Sequence, residues 1–337
     1  MKIVRALVVA LIITGGALGL TLGFFSWCQL PNHDYSLKVA PLDGEGSMLQ
    51  ALLQNHVWKL ANQIGYRNLD KAPVALASAA AYITEEMAGA GYEIQRHTYK
   101  IGDQEAVNLH ATLAGADQNH LLVIGAHYDS FDLSPGADDN ASGVAMLIEL
   151  ARKFRDYSPA VPVMFVFFTC EEEPFYETRD MGSYRFVEEV LKNQPASYRM
   201  INLESVGYYT HLSDSQVYPF PLNLLYYPIG DFIGFVSDLG SRGFLMELVH
   251  GFRANSNFPT GASSLPSFLP GVEWSDHAAF WRAGRSAVMV TDSALFRNPY
   301  YHSRHDRAEL LDYQAMAHVT QGLAATIKAM TAGKHRP

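Results

Sequence analysis

Two apolar runs frame the middle of the chain, Leu121–His127 (LLVIGAH) and Val163–Thr169 (VMFVFFT), and neither alternates with polar residues. Short runs of this kind predict strands covered on both faces. Each ends in polar residues of a chemical kind: His127 and Asp129 after the first, Glu171 and Glu172 after the second. Between them lie a Gly/Pro turn carrying Asp138 and Asp139, then a helix beginning near Ala141. Neighbouring strands joined in this way deliver histidine and carboxylates to one edge of a sheet, outside the carboxyl ends where open α/β sheets place their chemistry.

Helical spacing of Leu49, Leu52, Leu53, Val57, Leu60 and Ile64 predicts a helix over Leu49–Ile64, and a second is predicted over Val74–Met87, stopped by Gly89 and Gly91. Strands are predicted at Tyr92–Tyr99, Val107–Leu113 and Arg199–Glu204, the last ending in a further carboxylate. Beyond Gly207 the pattern is weaker. It suggests a strand at Leu222–Tyr227, a helix over Ile229–Leu239, a strand around Phe244–Val249 and a loop up to Gly271. A short helix at Ala278–Ala283, a strand at Ser286–Thr291 and a closing helix over Glu309–Met330 complete the reading.

At the N-terminus, Lys2 and Arg5 precede Ala6–Trp27, an uncharged stretch of 22 residues. At about 1.5 Å per residue it is long enough for a bilayer core of about 30 Å. It ends in Phe24-Phe25-Ser26-Trp27 rather than a small-x-small cleavage site, which favours an uncleaved anchor over a signal peptide. The expected organisation is a membrane anchor over residues 1–28, a stalk over 29–46 and one catalytic domain over 47–332. The lipid bilayer is then a partner through residues 6–27, and the positive-inside rule puts the domain on the periplasmic or extracellular side.

The chain has 337 residues, 48% hydrophobic and 18% charged, and a formal net charge of −9 without a basic cluster, which argues against nucleic acid as a partner. Cys28 and Cys170 are the only cysteines. They fall in distant contexts, so no structural disulfide is expected.

The residue types after the two strands suit a metal. Imidazole and carboxylate are N/O ligands of zinc and similar divalent ions. No Lys or Arg lies between Leu121 and Ala151 to offset the carboxylates, so a cation is the simplest balance. In His127-Tyr128-Asp129 the two outer side chains point the same way, which allows Asp129 to hold the imidazole. Each acidic pair read alone is also compatible with a helix cap, a turn or a solvated helix start.

The segments GAHYDS, PGADDNASG and FFTCEE, followed in order by INLESVGYY, EWSDHAAFWRAG and PYYHSRHD, resemble the zinc-dependent aminopeptidase family of co-catalytic metallopeptidases, which is related to glutaminyl cyclases and glutamate carboxypeptidases. The resemblance spans roughly Val74–Lys328. It implies an α/β three-layer fold with a central mixed, mostly parallel sheet flanked by helices, and two zinc ions (Zn2+). It also implies Asp139 as the bridging ligand, Glu172 and His302 completing one site, and His127 and Glu204 the other. Glu171 would be the general base for a water activated between the metals, with Asp129 beside His127 as the second catalytic residue.

The implied activity is removal of N-terminal residues from peptides with a free N-terminus. Two departures stand out. Glu204 occupies a position where the family usually has aspartate, and residues 173–181 form a longer link than usual, with Pro174, Phe175 and Tyr176 near the rim. His302 and His305 compete for the ligand role in the last motif; the family's tyrosine-histidine pair favours His302 and leaves His305 and Asp306 behind the ligands or on the surface. A one-zinc cyclase of N-terminal glutamine, a carboxypeptidase using Arg253, Arg282, Arg285 or Arg304, and a non-catalytic membrane receptor are the alternative readings on the same scaffold.

Overall fold

The strand Val163–Phe168 has every residue buried, because its alternate side chains feed two separate cores. In the computed structural model, which describes residues 16–30, 35, 39–194 and 197–332, eight strands form one sheet: β1 (Gln95–Ile101), β2 (Gln104–Leu113), β3 (His120–His127), β4 (Val163–Phe168), β5 (Ser197–Glu204), β6 (Ile233–Ser237), β7 (Thr260–Ser264) and β8 (Ala287–Thr291). Their spatial order is β1-β2-β4-β3-β5-β8-β6-β7. The central four, β4-β3-β5-β8, are parallel. β2 joins β4 and β6 joins β8 antiparallel, while β7 pairs parallel with β6.

The period of two sorts the side chains. Leu122, Ile124 and Ala126 of β3, Val163, Phe165 and Phe167 of β4, and Ile201 and Leu203 of β5 enter the larger core. Leu121 and Val123, Met164, Val166 and Phe168, and Tyr198 and Met200 enter the other. The larger core is covered by α2 (Gly44–Val57), α3 (Pro73–Gly89), α4 (Gly143–Phe154), α6 (Arg242–Asn255) and α8 (Tyr313–Thr331). On the opposite face, α5 (Gly182–Glu189) and α7 (His277–Arg282) contribute Phe186, Val187, Ala279 and Phe280. This is the three-layer α/β arrangement with a mostly parallel centre.

The membrane anchor requires correction. Among the described residues no helix is long and apolar enough to cross a membrane. The described part of the expected span is a helix over residues 16–28, α1. Its end is committed elsewhere: Phe25 and Cys28 are buried against Leu222, Leu265 and Val272 of the body. The anchor over 1–28, the bilayer as a partner through residues 6–27 and the extracytoplasmic membrane-anchored placement are therefore not supported. Residues 1–15, where that expectation also falls, lie outside the described residues. Of the expected stalk, Leu30, Val39 and Leu42 contact the larger core.

The weakly patterned region also reads differently. Leu222–Leu224 is a single 3-10 turn after Pro221 rather than a strand. Ile233–Ser237 is a strand rather than part of a helix, and Arg242–Asn255 is a helix rather than a strand. The helical assignment is explained by Phe244, Leu245, Leu248, Val249 and Phe252, which lie on one face and are buried. In short apolar runs periodicity alone does not separate the two states. Both cysteines are buried and free.

Candidate metal centre

The parallel register places the ends of three strands side by side. His127 is level with Phe168 across β3 and β4, so His127 and the glutamates three and four residues beyond β4 emerge at one edge. Glu204 closes β5 beside them. Asp139 arrives on the loop before α4, and His302 on the loop after β8.

The side chains converge. His127 Nε2 lies 3.2 Å from Asp139 Oδ1 and 3.5 Å from Glu204 Oε2. His302 Nε2 lies 3.1 Å from Asp139 Oδ2 and 3.2 Å from Glu172 Oε2. Two triads result, His127-Asp139-Glu204 and Asp139-Glu172-His302, each with ligand atoms within 4.8 Å of one another and with Asp139 common to both. Glu171 Oε2 stands 3.9 Å from His127 Nε2, and His127, Glu171 and Glu172 form a third such group.

Each donor is held from behind. Asp129 is outside the cluster: its Oδ1 is 3.5 Å from His127 Nδ1, and its two oxygens accept from the backbone N–H groups of Glu171 and Glu172 at 3.3 and 3.2 Å. One carboxylate thus orients a histidine and both glutamates.

Asp306 does the same for the aspartate pair. Its carboxylate accepts from the backbone N–H groups of Asp138 and Asp139 at 3.0 and 3.1 Å. Asp138 itself turns away, accepting from the Gly207 N–H and the Asn298 amide, which leaves Asp139 as the member of the pair that faces the cluster.

The turn that carries the pair requires Gly136, at φ 58°, because an added Cβ would lie 2.3 Å from the Asp139 carbonyl oxygen. Fully buried Arg67 fixes the same turn by donating to the carbonyls of Tyr128, Pro135 and Gly136 at 2.8, 2.6 and 2.9 Å.

Glu204 accepts from the Ser275 hydroxyl at 2.5 Å, and Ser275 in turn accepts from the Asn202 amide at 2.8 Å. The imidazole of His302 is stacked on Phe131 at 3.9 Å, while His305 is exposed. The sequence reading missed Arg67 and Asn298 as site-building residues and left Asp306 as a residue either behind the ligands or on the surface. Nothing in the local pattern distinguishes a buried arginine from a surface one.

The electrostatics favour a cation. Burial raises the carboxyl pKa values of Glu171 and Glu172; Glu172 and Glu204 push Glu171 up further, and Asp139 helps to bring Glu172 to about 8. Burial opposes protonation of the histidines, yet Glu204 and Glu171 raise His127 well above an ordinary imidazole, and Asp139 and Glu172 bring His302 to about 10. Burial likewise opposes ionisation of Asp139, but His127 and His302 hold it well below the usual carboxylate range. The donors include buried atoms without hydrogen-bond partners, Asp139 Oδ2, Glu172 Oε1 and His302 Nε2. Such groups are costly when dry and unpaired. Clustered carboxylate and imidazole donors of this kind fit zinc at both triads.

Residues 108–327 match peptidase family M28. This chain belongs to that family. It is 36% identical over 257 residues to the uncharacterized protein YfbL of Escherichia coli, covering 74% of this chain and 78% of that one. In structure it is similar to BSAP, a zinc aminopeptidase from Bacillus subtilis, with TM-score 0.65, 14% identity, and coverage of 86% of this chain and 96% of that one. It is also similar to a Fimbriiglobus ruber glutaminyl cyclase, with TM-score 0.61, 20% identity, and coverage of 89% and 99%. These two likenesses concern the M28 fold, which is common to hydrolase and cyclase.

Beside the triads opens an apolar cavity of about 130 Å3 that shares Glu204 with them and is also lined by Tyr301, the neighbour of His302. No Lys or Arg is among the described residues lining it. None of residues 173–181 lines it either; within that loop Phe175 packs against the larger core.

Proposed function

We propose that this chain is a dinuclear-zinc aminopeptidase that hydrolyses the first peptide bond of substrates with a free N-terminus. The observation that carries the reading is the pair of triads sharing Asp139, with Glu171 left beside them as a buried carboxyl that belongs to neither. Asp139 would bridge the two ions, Glu172 and His302 would complete one site, and His127 and Glu204 the other. Two zinc ions there supply Lewis acidity and positive charge next to the scissile carbonyl and the attacking water.

The protein groups do the rest. Glu171 takes the proton from the water at a carboxylate oxygen and returns it to the leaving amine, a task suited to a carboxylate that stands 3.9 Å from His127 Nε2 and outside both triads that share Asp139. Asp129 fixes the imidazole of His127 and the backbone of both glutamates, so base and ligand diverge from adjacent positions. The substrate's α-amine sits at the Glu204 side, where carboxylates favour a cation.

A carboxypeptidase needs a cation for the substrate's terminal carboxylate, and none of Arg253, Arg282, Arg285 and Arg304 lines the cavity beside the site. The test is hydrolysis by the zinc-replete protein of one peptide in free and N-acetylated forms, with an N-terminal glutamine peptide in parallel, products identified by mass. Release of the N-terminal residue from the free peptide alone is expected. Cleavage of the acetylated form, loss of C-terminal residues or cyclisation of glutamine without hydrolysis would contradict the reading.

A further inference from the structure

A histidine that holds a metal must keep its ring at a fixed angle, and the two histidines of this cluster are held by different means. His127 has Asp129 Oδ1 at 3.5 Å from its Nδ1. This is the usual device, in which the nitrogen away from the metal faces a carboxylate that sets tautomer and ring orientation. For His302 no hydrogen bond to Nδ1 is found among the described residues, and its contacts with Asp139 and Glu172 are both made by Nε2. Its side chain is also the more open, 29% exposed against 1% for His127.

Stacking takes over. The Phe131 ring lies 3.9 Å from the His302 ring, centroid to centroid, at an interplanar angle of 4°, and the Tyr301 ring lies 3.9 Å away at 15°. Two rings parallel to a third at that separation would overlap each other if they shared one face. Phe131 and Tyr301 therefore cover opposite faces, and the imidazole is clamped in the plane that aims Nε2 at Asp139 and Glu172. The local chain does not set this position unaided, since His302 has φ 55°, in the left-handed region that residues with a side chain seldom adopt.

Phe131 is itself fastened on both sides. The Ser130 N–H donates to the Arg67 carbonyl at 2.9 Å, the Phe131 carbonyl accepts from the Ser134 N–H at 2.7 Å, and the Asp132 carbonyl accepts from the Asn68 amide at 2.7 Å.

We infer that Phe131 is a positioning residue for the metal site formed by Asp139, Glu172 and His302: its ring, with Tyr301 on the far face, replaces the hydrogen bond that His302 lacks at Nδ1. The inference rests on the two-metal reading and deepens it. The loop after β3 thus braces both histidines, His127 through the Asp129 carboxylate and His302 through a ring two residues further on. Aromatic contacts contribute beyond the area they bury, and an aliphatic side chain of similar bulk has no flat face to set against the imidazole.

The test uses the full chain and chelator competition that resolves two zinc dissociation steps. Glu172→Gln identifies the step that belongs to this site, because on the two-metal reading it alters a ligand of this site alone. Phe131→Leu should weaken that step by about three- to tenfold, the range of an aromatic stacking contact, and leave the other step unchanged. Phe131→Tyr, which keeps the ring, should restore the affinity. Phe131→Met carries the test if the leucine variant does not fold. A change under about threefold in that step, equal weakening of both steps, or no recovery in Phe131→Tyr overturns this inference alone. A single zinc step in the unaltered protein, or both steps intact in Glu172→Gln, overturns the two-metal reading with it.

Discussion

Ser275 donates its hydroxyl to Glu204 Oε2 at 2.5 Å, although one precedes α7 and the other ends β5, 71 positions apart in sequence. The contact ties the Trp274-Ser275-Asp276-His277 motif to the triad made by His127, Asp139 and Glu204. A glutamate has one more rotatable bond than the aspartate usual at this position, and the hydroxyl removes that extra freedom. Ser275 is in turn held by Asn202, two residues before Glu204 on β5 and on the same face.

Replacing Ser275 by alanine should therefore act on one metal and spare the other. Outer-shell partners are typically worth about 10- to 100-fold in metal affinity, and that loss is expected at the His127-Asp139-Glu204 site only. Chelator competition resolving two zinc dissociation steps checks it. Equal weakening of both steps would instead assign Ser275 a general structural role.

Arg67 stabilises the turn from Tyr128 to Gly136 by pairing carbonyls that burial cuts off from water. Arg67→Met strands those acceptors, at about 1–3 kcal/mol for each buried unsatisfied group, and a total loss of roughly 3 kcal/mol or more is expected. Arg67→Lys should recover only part of it, since an ammonium lacks the planar fork. Urea denaturation of the zinc-loaded protein measures both; a loss under about 1 kcal/mol for the methionine variant would contradict the clamp.

His277 gives the fold a dependence on acid. Burial lowers its pKa to about 4, with Nε2 against the Val272 carbonyl at 2.7 Å, whereas an unfolded imidazole titrates near 6.5. Between those values the unfolded chain binds a proton that the folded chain refuses. The contribution is thus fully present above about pH 6.5 and falls by about 1.4 kcal/mol per pH unit as the pH drops toward about 4. His277→Gln keeps a donor for the carbonyl and removes the titration, so its stability curve should be flatter over that window. Parallel curves would show that His277 is not the titrating group.

Much of the centre was legible in sequence because its donors sit at strand ends. His127, Glu171, Glu172 and Glu204 each follow an apolar run, and a parallel sheet brings such ends together without further information. The Asp138-Asp139 pair was legible as a pair; which member faces the cluster depends on Asp306, Gly207 and Asn298, all remote in sequence.

Arg67 acts through contacts made only in the folded chain, and no local pattern marks it. The apolar stretch before Cys28 misled because hydrophobicity alone does not distinguish a lipid-facing helix from one whose end packs on its own domain. Phe25 and Cys28 make that packing. Between Gly207 and Gly271 the expected segments were short apolar runs, in which periodicity alone does not separate strand from helix.

The adjacent glutamates test the account most directly, because the proposed chemistry gives them different tasks one residue apart. Zinc content and kcat are measured for Glu171→Gln and Glu172→Gln after identical purification. Glu171→Gln should retain two zinc ions and lose about 10²- to 10⁴-fold in kcat, the usual contribution of a general base. Glu172→Gln should lose zinc from the site it shares with Asp139 and His302. Near-normal kcat in a zinc-loaded Glu171→Gln protein, or loss of zinc from that variant and not from Glu172→Gln, would contradict the assignment.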